Sequence, residues 1–454
     1  MGEAWVRNTP APARPPPGAG GCRAPDKPAI LIVHLTTAGR HQETGRAPTA
    51  RGVDRNLPDG SRRLLEIARA VARPPRSPVL TAVIGTRLPV LLLGALAVAL
   101  VGTIPAPTAE ALWRVSPNEL ANLQARWDTD FYYSIATTGY HWNPAVFLHQ
   151  NVVFFPLYPL LMRWGGALLG GHPLLAGTIV SLAAFAGAIN VLYRLAAHEL
   201  GEEKAWPVIL LMSTYPFALF YSVAYTESLF LFLTVSAFYA MRRGYLLAAA
   251  LAGFGAGLTR PNGFWLALPL LWLATTAPVP DEVATGPRWS KGRIAAYLVA
   301  LAPLAGVALF SGYLYLRFGD PLAWVHGQRA WGMPLLGRGP APDPVRTPED
   351  LRLKFTEVVV YIGDIVAFFV AAAAIKPVAR RLGIAYALWI AINIFPPVAA
   401  HLFISVGRFT AVLFPLFFWL ALVVPRTRLA QVAGTFAACQ AILAVWFFLW
   451  RPVV

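Results

Sequence analysis

Two carboxylates stand two residues apart in Arg126-Trp127-Asp128-Thr129-Asp130-Phe131-Tyr132-Tyr133, a segment that runs on to Gly139-Tyr140. In an extended segment this spacing puts both acids on one face, and in a helix on different faces. An Asp at a water-filled cavity can take the proton of an acceptor hydroxyl. Two acids can also hold a divalent cation. A plainer use is structural, with Asp128 capping a helix that begins at Phe131 and Asp130 solvated. The aromatic residues around the pair favour a site at a membrane surface.

Other residues with chemical potential lie at the edges of apolar runs. Glu227, with Tyr221, Tyr225 and Ser228 beside it, opens one such run. An ionisable group there faces a cavity or a partner, or meets the positive end of the helix dipole. Asp364 lies deeper, after Val358-Val359-Val360-Tyr361-Ile362-Gly363. Its depth suits a functional role or a structural partner such as an Arg or Asn. Arg260 with Asn262, and Arg408, also sit at run edges. Guanidinium groups stay charged and bind phosphate through paired donors, and at a membrane edge they also snorkel toward headgroups.

Phe154-Phe155-Pro156-Leu157-Tyr158-Pro159-Leu160-Leu161 offers either an interfacial aromatic belt or a wall for a lipid tail. Gly319-Asp320-Pro321 reads as a turn, with Trp324, His326, Gln328 and Trp331 after it as candidates for lining a sugar site. His141, His149 and His401 have no ligand spacing, and Cys22 and Cys439 form neither a disulfide framework nor a metal pattern. No Walker A loop, dinucleotide fingerprint, GxSxG elbow or HExxH pair is present.

The elements that must hold these residues follow from composition. The chain has 454 residues, 57% hydrophobic and only 13% charged, against about 25% charged in soluble domains. A soluble fold of this length cannot hide so much apolar surface, so an all-α polytopic membrane protein is expected. Residues 1–78 are rich in Pro, Gly, Ala and Arg and read as a disordered cytoplasmic tail with no catalytic role. Residues 79–454 form the transmembrane domain. Apolar runs lie near 80–104, 174–194, 206–223, 226–241, 244–259, 262–278, 294–316, 355–375, 383–403, 409–424 and 429–449, giving about eleven spans. The stretch 152–169 is broken by Pro156 and Pro159 and is expected to be re-entrant or interfacial.

The net charge of +16 is distributed as the positive-inside bias demands, and no nucleic-acid module accompanies it. With the tail in the cytoplasm, that side receives Arg242-Arg243, the Arg288/Lys291/Arg293 cluster, Lys376 with Arg380-Arg381, and Arg426/Arg428. The opposite side receives the large first loop 105–173, Tyr225 to Ser228, Thr259 to Gly263, the second loop 317–354, and Ser405 to Arg408. The unusual motifs thus share one face. No internal repeat is visible, which weighs against transporters built from duplicated halves.

These motifs occur in an order that resembles the PIG-V-type mannosyltransferases, the family of the second mannosyltransferase of GPI-anchor synthesis, within the integral-membrane GT-C glycosyltransferases. The matching segments are Arg126-Trp127-Asp128 through Gly139-Tyr140, Phe154 to Pro159, Tyr225-Thr226-Glu227-Ser228, the Arg260-Asn262-Gly263 turn, and Gly407-Arg408-Phe409 before Pro415. The resemblance implies a polyprenyl-phosphate sugar donor, typically mannose, and an extracytoplasmic active site. It implies Asp128 as the catalytic base. Arg126, Asp130, Tyr158, Glu227, Arg260, Asn262 and Arg408 become the candidate substrate contacts, and Asp128 with Asp130 the only candidate ligands for a divalent cation. A lipid, glycan or protein acceptor is compatible. A lipid-linked sugar flippase and a non-catalytic scaffold remain the alternatives.

Overall fold

The structure is a computed structural model. It describes residues 69–104, 113–146, 148–276, 290–331, 348–401 and 403–451, together with 66, 278 and 453. Most of the expected tail, with Cys22, lies outside the described residues, as does Arg288. Within residues 69–78, the carbonyl of Val71 accepts a hydrogen bond from Trp206 Nε1 at 2.9 Å.

Among the described residues every regular element is helical, and the apolar runs coincide with helix. In chain order the α-helices are α1 (Pro78–Val101), α2 (Thr129–Thr137), α3 (Leu157–Leu168), α4 (Pro173–Leu200), α5 (Glu202–Thr214), α6 (Glu227–Arg242), α7 (Leu246–Gly257) and α8 (Ala267–Ala274). There follow α9 (Lys291–Ala300), α10 (Ala302–Phe318), α11 (Ala323–His326), α12 (Pro348–Arg381), α13 (Ile384–His401), α14 (Val406–Ala411), α15 (Phe414–Val423) and α16 (Leu429–Phe448). Short 3-10 segments, Pro216–Ser222 and Pro261–Leu266, precede α6 and α8.

Among the described residues, four helices are long and apolar enough to cross a membrane: α1, α4, residues 355–381 of α12, and α16. Two bent pairs raise the number to six if each is one span: α5 with Pro216–Ser222, bent by 82°, and α9 with α10, bent by 44°. Prolines stand at these breaks, Pro216 and Pro303 each at the start of the second piece. A proline lacks the N–H of the helical ladder but suits the first turn of a new helix. At 12 residues, α3 is about 18 Å long, short of a hydrocarbon core of about 30 Å.

The outward faces confirm the solvent. Along α1, Leu80, Ile84, Leu88, Leu92, Leu96 and Leu100 repeat every fourth residue and are all exposed. On α12, Phe355, Val358, Ile362, Val366 and Phe369 recur every three or four residues and are likewise exposed. Water would not tolerate such stripes, whereas lipid would. The chain is a multi-pass integral membrane protein.

Packing centres on α4, which touches α1, α3, α5 and α6, while α7 covers the other side of α6. A second group joins α12 to α13 and α14. The core is strongly aromatic, with Tyr158, Tyr221, Tyr225, Phe155, Phe185, Phe220, Phe230 and Trp389 among its largest fully buried side chains.

α6 gives the bundle its polarity. Its 16 residues span about 24 Å. Glu227 is at one end. Arg242 is at the other, where its Nε donates to Glu199 at 2.7 Å. Near that second end Arg426 donates to the Glu203 carbonyl at 3.2 Å and Lys204 to the Ala421 carbonyl at 2.9 Å.

Candidate active site

At the Glu227 end a cavity of about 520 Å³ opens. Four of the five segments assigned above to one face line it: Asp128, Tyr132 and Val153 to Phe155 from the first loop, Thr259 to Asn262, Trp324 and Gln328 from the second loop, and Ser405 with Arg408. The fifth supplies Glu227, which reaches two of the lining arginines. Phe264, Trp265, Ile392, Pro396, Pro397 and Phe409 complete an apolar wall.

The polar part of the cavity is a relay of ion pairs. Arg408 Nη1 donates to Asp128 Oδ2 at 2.6 Å, and Arg408 Nε donates to Glu227 Oε1. Arg260 Nη1 donates to the same Glu227 oxygen at 2.6 Å and reaches Thr226 Oγ1 at 3.4 Å. Glu227 is wholly buried, and among the described residues its Oε2 meets no hydrogen-bond partner. Arg408 also lies over the rings of Tyr225 and Phe220, at 4.6 and 5.2 Å. Such rings favour a cation, so its guanidinium is held by charge and by π faces together.

Each member is presented by an identifiable local device. Trp127 adopts φ 48°, a left-handed conformation costly for a residue with a side chain. It turns the chain just before Asp128, whose N–H donates to Tyr225 Oη at 3.1 Å. Asp128 stands at the N-cap position of α2 but makes no side-chain capping bond. Its carboxylate serves Arg408 instead of the helix.

The two arginine turns are held by close glycines. A Cβ on Gly263 would lie 2.2 Å from the Ala256 carbonyl oxygen, and one on Gly407 would lie 2.1 Å from the Phe217 ring. Only glycine fits such approaches. Asn262 donates to Asn393 Oδ1 at 2.7 Å, and Asn393 donates in turn to the Trp389 carbonyl at 2.8 Å.

The candidate residues therefore divide. Asp128, Arg260, Asn262 and Arg408 meet at the cavity, with Glu227 bonded beneath. Arg126 does not line it. Its guanidinium donates to the carbonyls of Phe448 at 2.9 Å, Asn122 at 2.5 Å and Ala125 at 3.0 Å, beneath the Trp450 ring. Burial lowers its pKa to about 10. Tyr158 also stays outside the lining and is fully buried, its hydroxyl bonded to the Gly177 carbonyl at 2.9 Å and Ser181 Oγ at 2.8 Å. Both side chains are occupied by the fold.

Asp130 is likewise absent from the lining. Partial burial raises its carboxyl above the ordinary value. Asp128 is the N-cap of α2 and Asp130 lies in its first turn, so the two acids are not placed alike. Among the described residues no three His, Cys, Asp or Glu side chains are grouped to hold a metal. Of the two acids, Asp128 alone lines the cavity.

Of the second loop, Trp324 and Gln328 reach the cavity. His326 instead meets Asp320 Oδ2 at 2.8 Å. Sequence reasoning did not single out Tyr132, Asn393 or the Pro396-Pro397 pair. A polar Asn393 and two prolines inside an apolar run were the available signal.

Two carboxylates and two arginines are thus joined beside an apolar-walled cavity at one end of the helical bundle. No protein-family model matches the chain. A stretch of 151 residues is 32% identical to GPI alpha-1,6-mannosyltransferase 2 of Rattus norvegicus, covering 31% of this chain and 29% of that protein. A stretch of 165 residues is 29% identical to GPI mannosyltransferase 2 of Drosophila pseudoobscura pseudoobscura, covering 33% of this chain and 35% of that protein. The chain thus aligns with about a third of the length of these curated relatives. The expected resemblance to GPI mannosyltransferase 2 is present as distant homology. Among solved structures, the oligosaccharyltransferase of Archaeoglobus fulgidus aligns with TM-score 0.43 and 17% identity, over 80% of this chain and 53% of that one.

Proposed function

We propose that the chain is a GT-C-like membrane hexosyltransferase, moving a mannosyl or related group from a polyprenyl-phosphate donor to an acceptor hydroxyl on the extracytoplasmic side. About eleven apolar segments would cross or enter the membrane, with the Asp128 end outside. The observation that carries this reading is the Asp128–Arg408–Glu227–Arg260 relay beside an apolar wall. The sequence likeness to the GPI mannosyltransferases named above supports the choice of sugar.

The chemistry follows from the relay. The acceptor hydroxyl attacks the anomeric carbon, and Asp128 takes its proton. The bond from that carbon to the phosphate oxygen breaks, and the electron pair leaves on the phosphate. Negative charge moves from Asp128 to the leaving group. Neutralising Asp128 weakens its hold on Arg408, which then turns its charge toward the phosphate, with Arg260 beside it. Glu227 keeps both arginines in place throughout. The leaving phosphate is a weak base and needs no strong general acid. Direct displacement inverts the anomeric carbon, so a β-linked donor gives an α-linked product.

The test is incubation of membranes carrying the chain with labelled polyprenyl-phosphate mannose. The expected result is a new glycosidic bond. Movement of labelled lipid between leaflets with no new bond would overturn the reading in favour of a flippase. Chelator is expected to leave transfer intact, because only one of the two acids lines the cavity.

A further inference from the structure

We infer that Asp364 is a positioning residue that fixes Arg408 for transfer by holding the backbone of the turn that carries it; this rests on the transferase reading above. Asp364 lies in the middle of α12 and is 2% exposed. It does not line the cavity. No arginine or lysine bonds it among the described residues; its Oδ1 accepts the Gly407 N–H at 2.6 Å, and the Ser405 N–H also bonds it. A carboxylate is an acceptor only, so it can take both N–H groups with no donor of its own in the way.

The turn needs such a hold. α14 has six residues, too few to be stable alone. It is entered through Ser405 at φ 61°, a left-handed conformation in a residue with a side chain. Gly407 is pressed against Phe217 with no room for a Cβ. The far end is pinned as well: Thr410 Oγ1 donates to the Gly407 carbonyl at 2.8 Å and meets Tyr215 Oη at 2.9 Å, and Tyr221 Oη donates to the Ala411 carbonyl. Asp364 is the tie on the entering side, three residues from Arg408 at the Ser405 contact and one residue at the Gly407 contact. From that anchored backbone the guanidinium reaches Asp128 and Glu227. A small shift of the turn would break this two-way contact.

Two measurements decide the assignment. In hydrogen exchange, Asp364→Ala should speed exchange of peptides covering 403–411 and leave the remainder of α12 unchanged. Unaltered exchange there overturns the hold, whether or not the wild-type chain transfers sugar. In transfer, Asp364→Ala should lower kcat by about 100-fold, the scale of a 1 Å misplacement. In an Arg408→Ala background the same change should cost no more than about twofold. Equal losses in both backgrounds would make Asp364 a merely structural residue and sink the proposal. Asp364→Asn keeps one acceptor oxygen and should recover activity to within about tenfold of wild type. Should Asp364→Ala fail to reach the membrane, Asp364→Asn carries both measurements, with smaller effects of the same pattern. Absence of any transfer by the wild type would instead overturn the transferase reading, and exchange would still decide the hold.

Discussion

Among the described residues, arginines drawn into the interior of this protein are held in two different ways. Arg87 and Arg126 are bound mainly by backbone carbonyls. Arg87 donates to the carbonyls of Ser213, at 2.5 Å, and Ala218, and to Ser222 Oγ at 3.2 Å, beneath the Phe185 ring. Those carbonyls flank the break between α5 and the Pro216–Ser222 segment, where proline interrupts the ladder and leaves acceptors bare. Arg126 does the same at the end of α16, bonding Phe448. Arg260 and Arg408 are bound by carboxylates and face a cavity. A carbonyl-bound arginine cannot leave without exposing the acceptors it satisfies. A carboxylate-bound arginine can trade part of its partner's charge for another anion. The difference separates arginines that stitch broken helices from arginines that can meet substrate.

That contrast can be broken by substitution. Arg408→Ala should lower sugar transfer by about 10²–10³-fold, the scale for losing a donor aimed at developing charge, with folded yield unchanged. Arg408→Lys should restore little, because a point charge cannot serve Asp128 and Glu227 at once. Arg126→Ala and Arg87→Ala should show the reverse pattern. Each strands several buried carbonyls at about 1–3 kcal/mol apiece, so melting temperature and yield fall while transfer per folded molecule holds. If Arg126→Ala folds normally and abolishes transfer, the division of the arginines is wrong.

Two smaller effects sharpen it. Asn262→Ala should raise the donor KM by no more than about tenfold, one hydrogen bond's worth, in steady-state transfer assays. Asp130→Asn should leave transfer near wild type. Burial raises the Asp130 carboxyl pKa, so its charged form carries a cost in the folded state. That cost is present above the folded pKa and disappears as pH falls below the unfolded value of about 3.9. The Asn variant should therefore melt slightly higher at neutral pH, and the gain should vanish near pH 4. A loss of transfer in Asp130→Asn would return the second acid to the site.

The positions of the apolar segments and the charged residues of the cavity were legible in the sequence. Asp128, Glu227, Arg260 and Arg408 stood out because charge at the edge of an apolar run is costly and needs a reason. Their meeting point was legible through loop charge, which put the unusual motifs on one face. What the residues point at was not. Arg126 and Tyr158 belong to the same motifs as Asp128 and Phe155, yet Arg126 is bonded by carbonyls and Tyr158 by a carbonyl and the Ser181 hydroxyl, and backbone groups leave no mark in residue types. The hold of Asp364 on Gly407 was hidden for the same reason. Helix continuity was also partly hidden: the apolar runs near 206–223 and 294–316 are each split at a proline into two bent pieces.

The most direct test is single-turnover transfer by Asp128→Asn after polyprenyl-phosphate mannose has been bound. The predicted result is a variant that folds and binds donor as the wild type does, yet forms the glycosidic bond at least about 100-fold more slowly, the ordinary contribution of a general base. Undiminished bond formation by folded, donor-bound Asp128→Asn would contradict the assignment of the Asp128–Arg408 pair as the reacting centre.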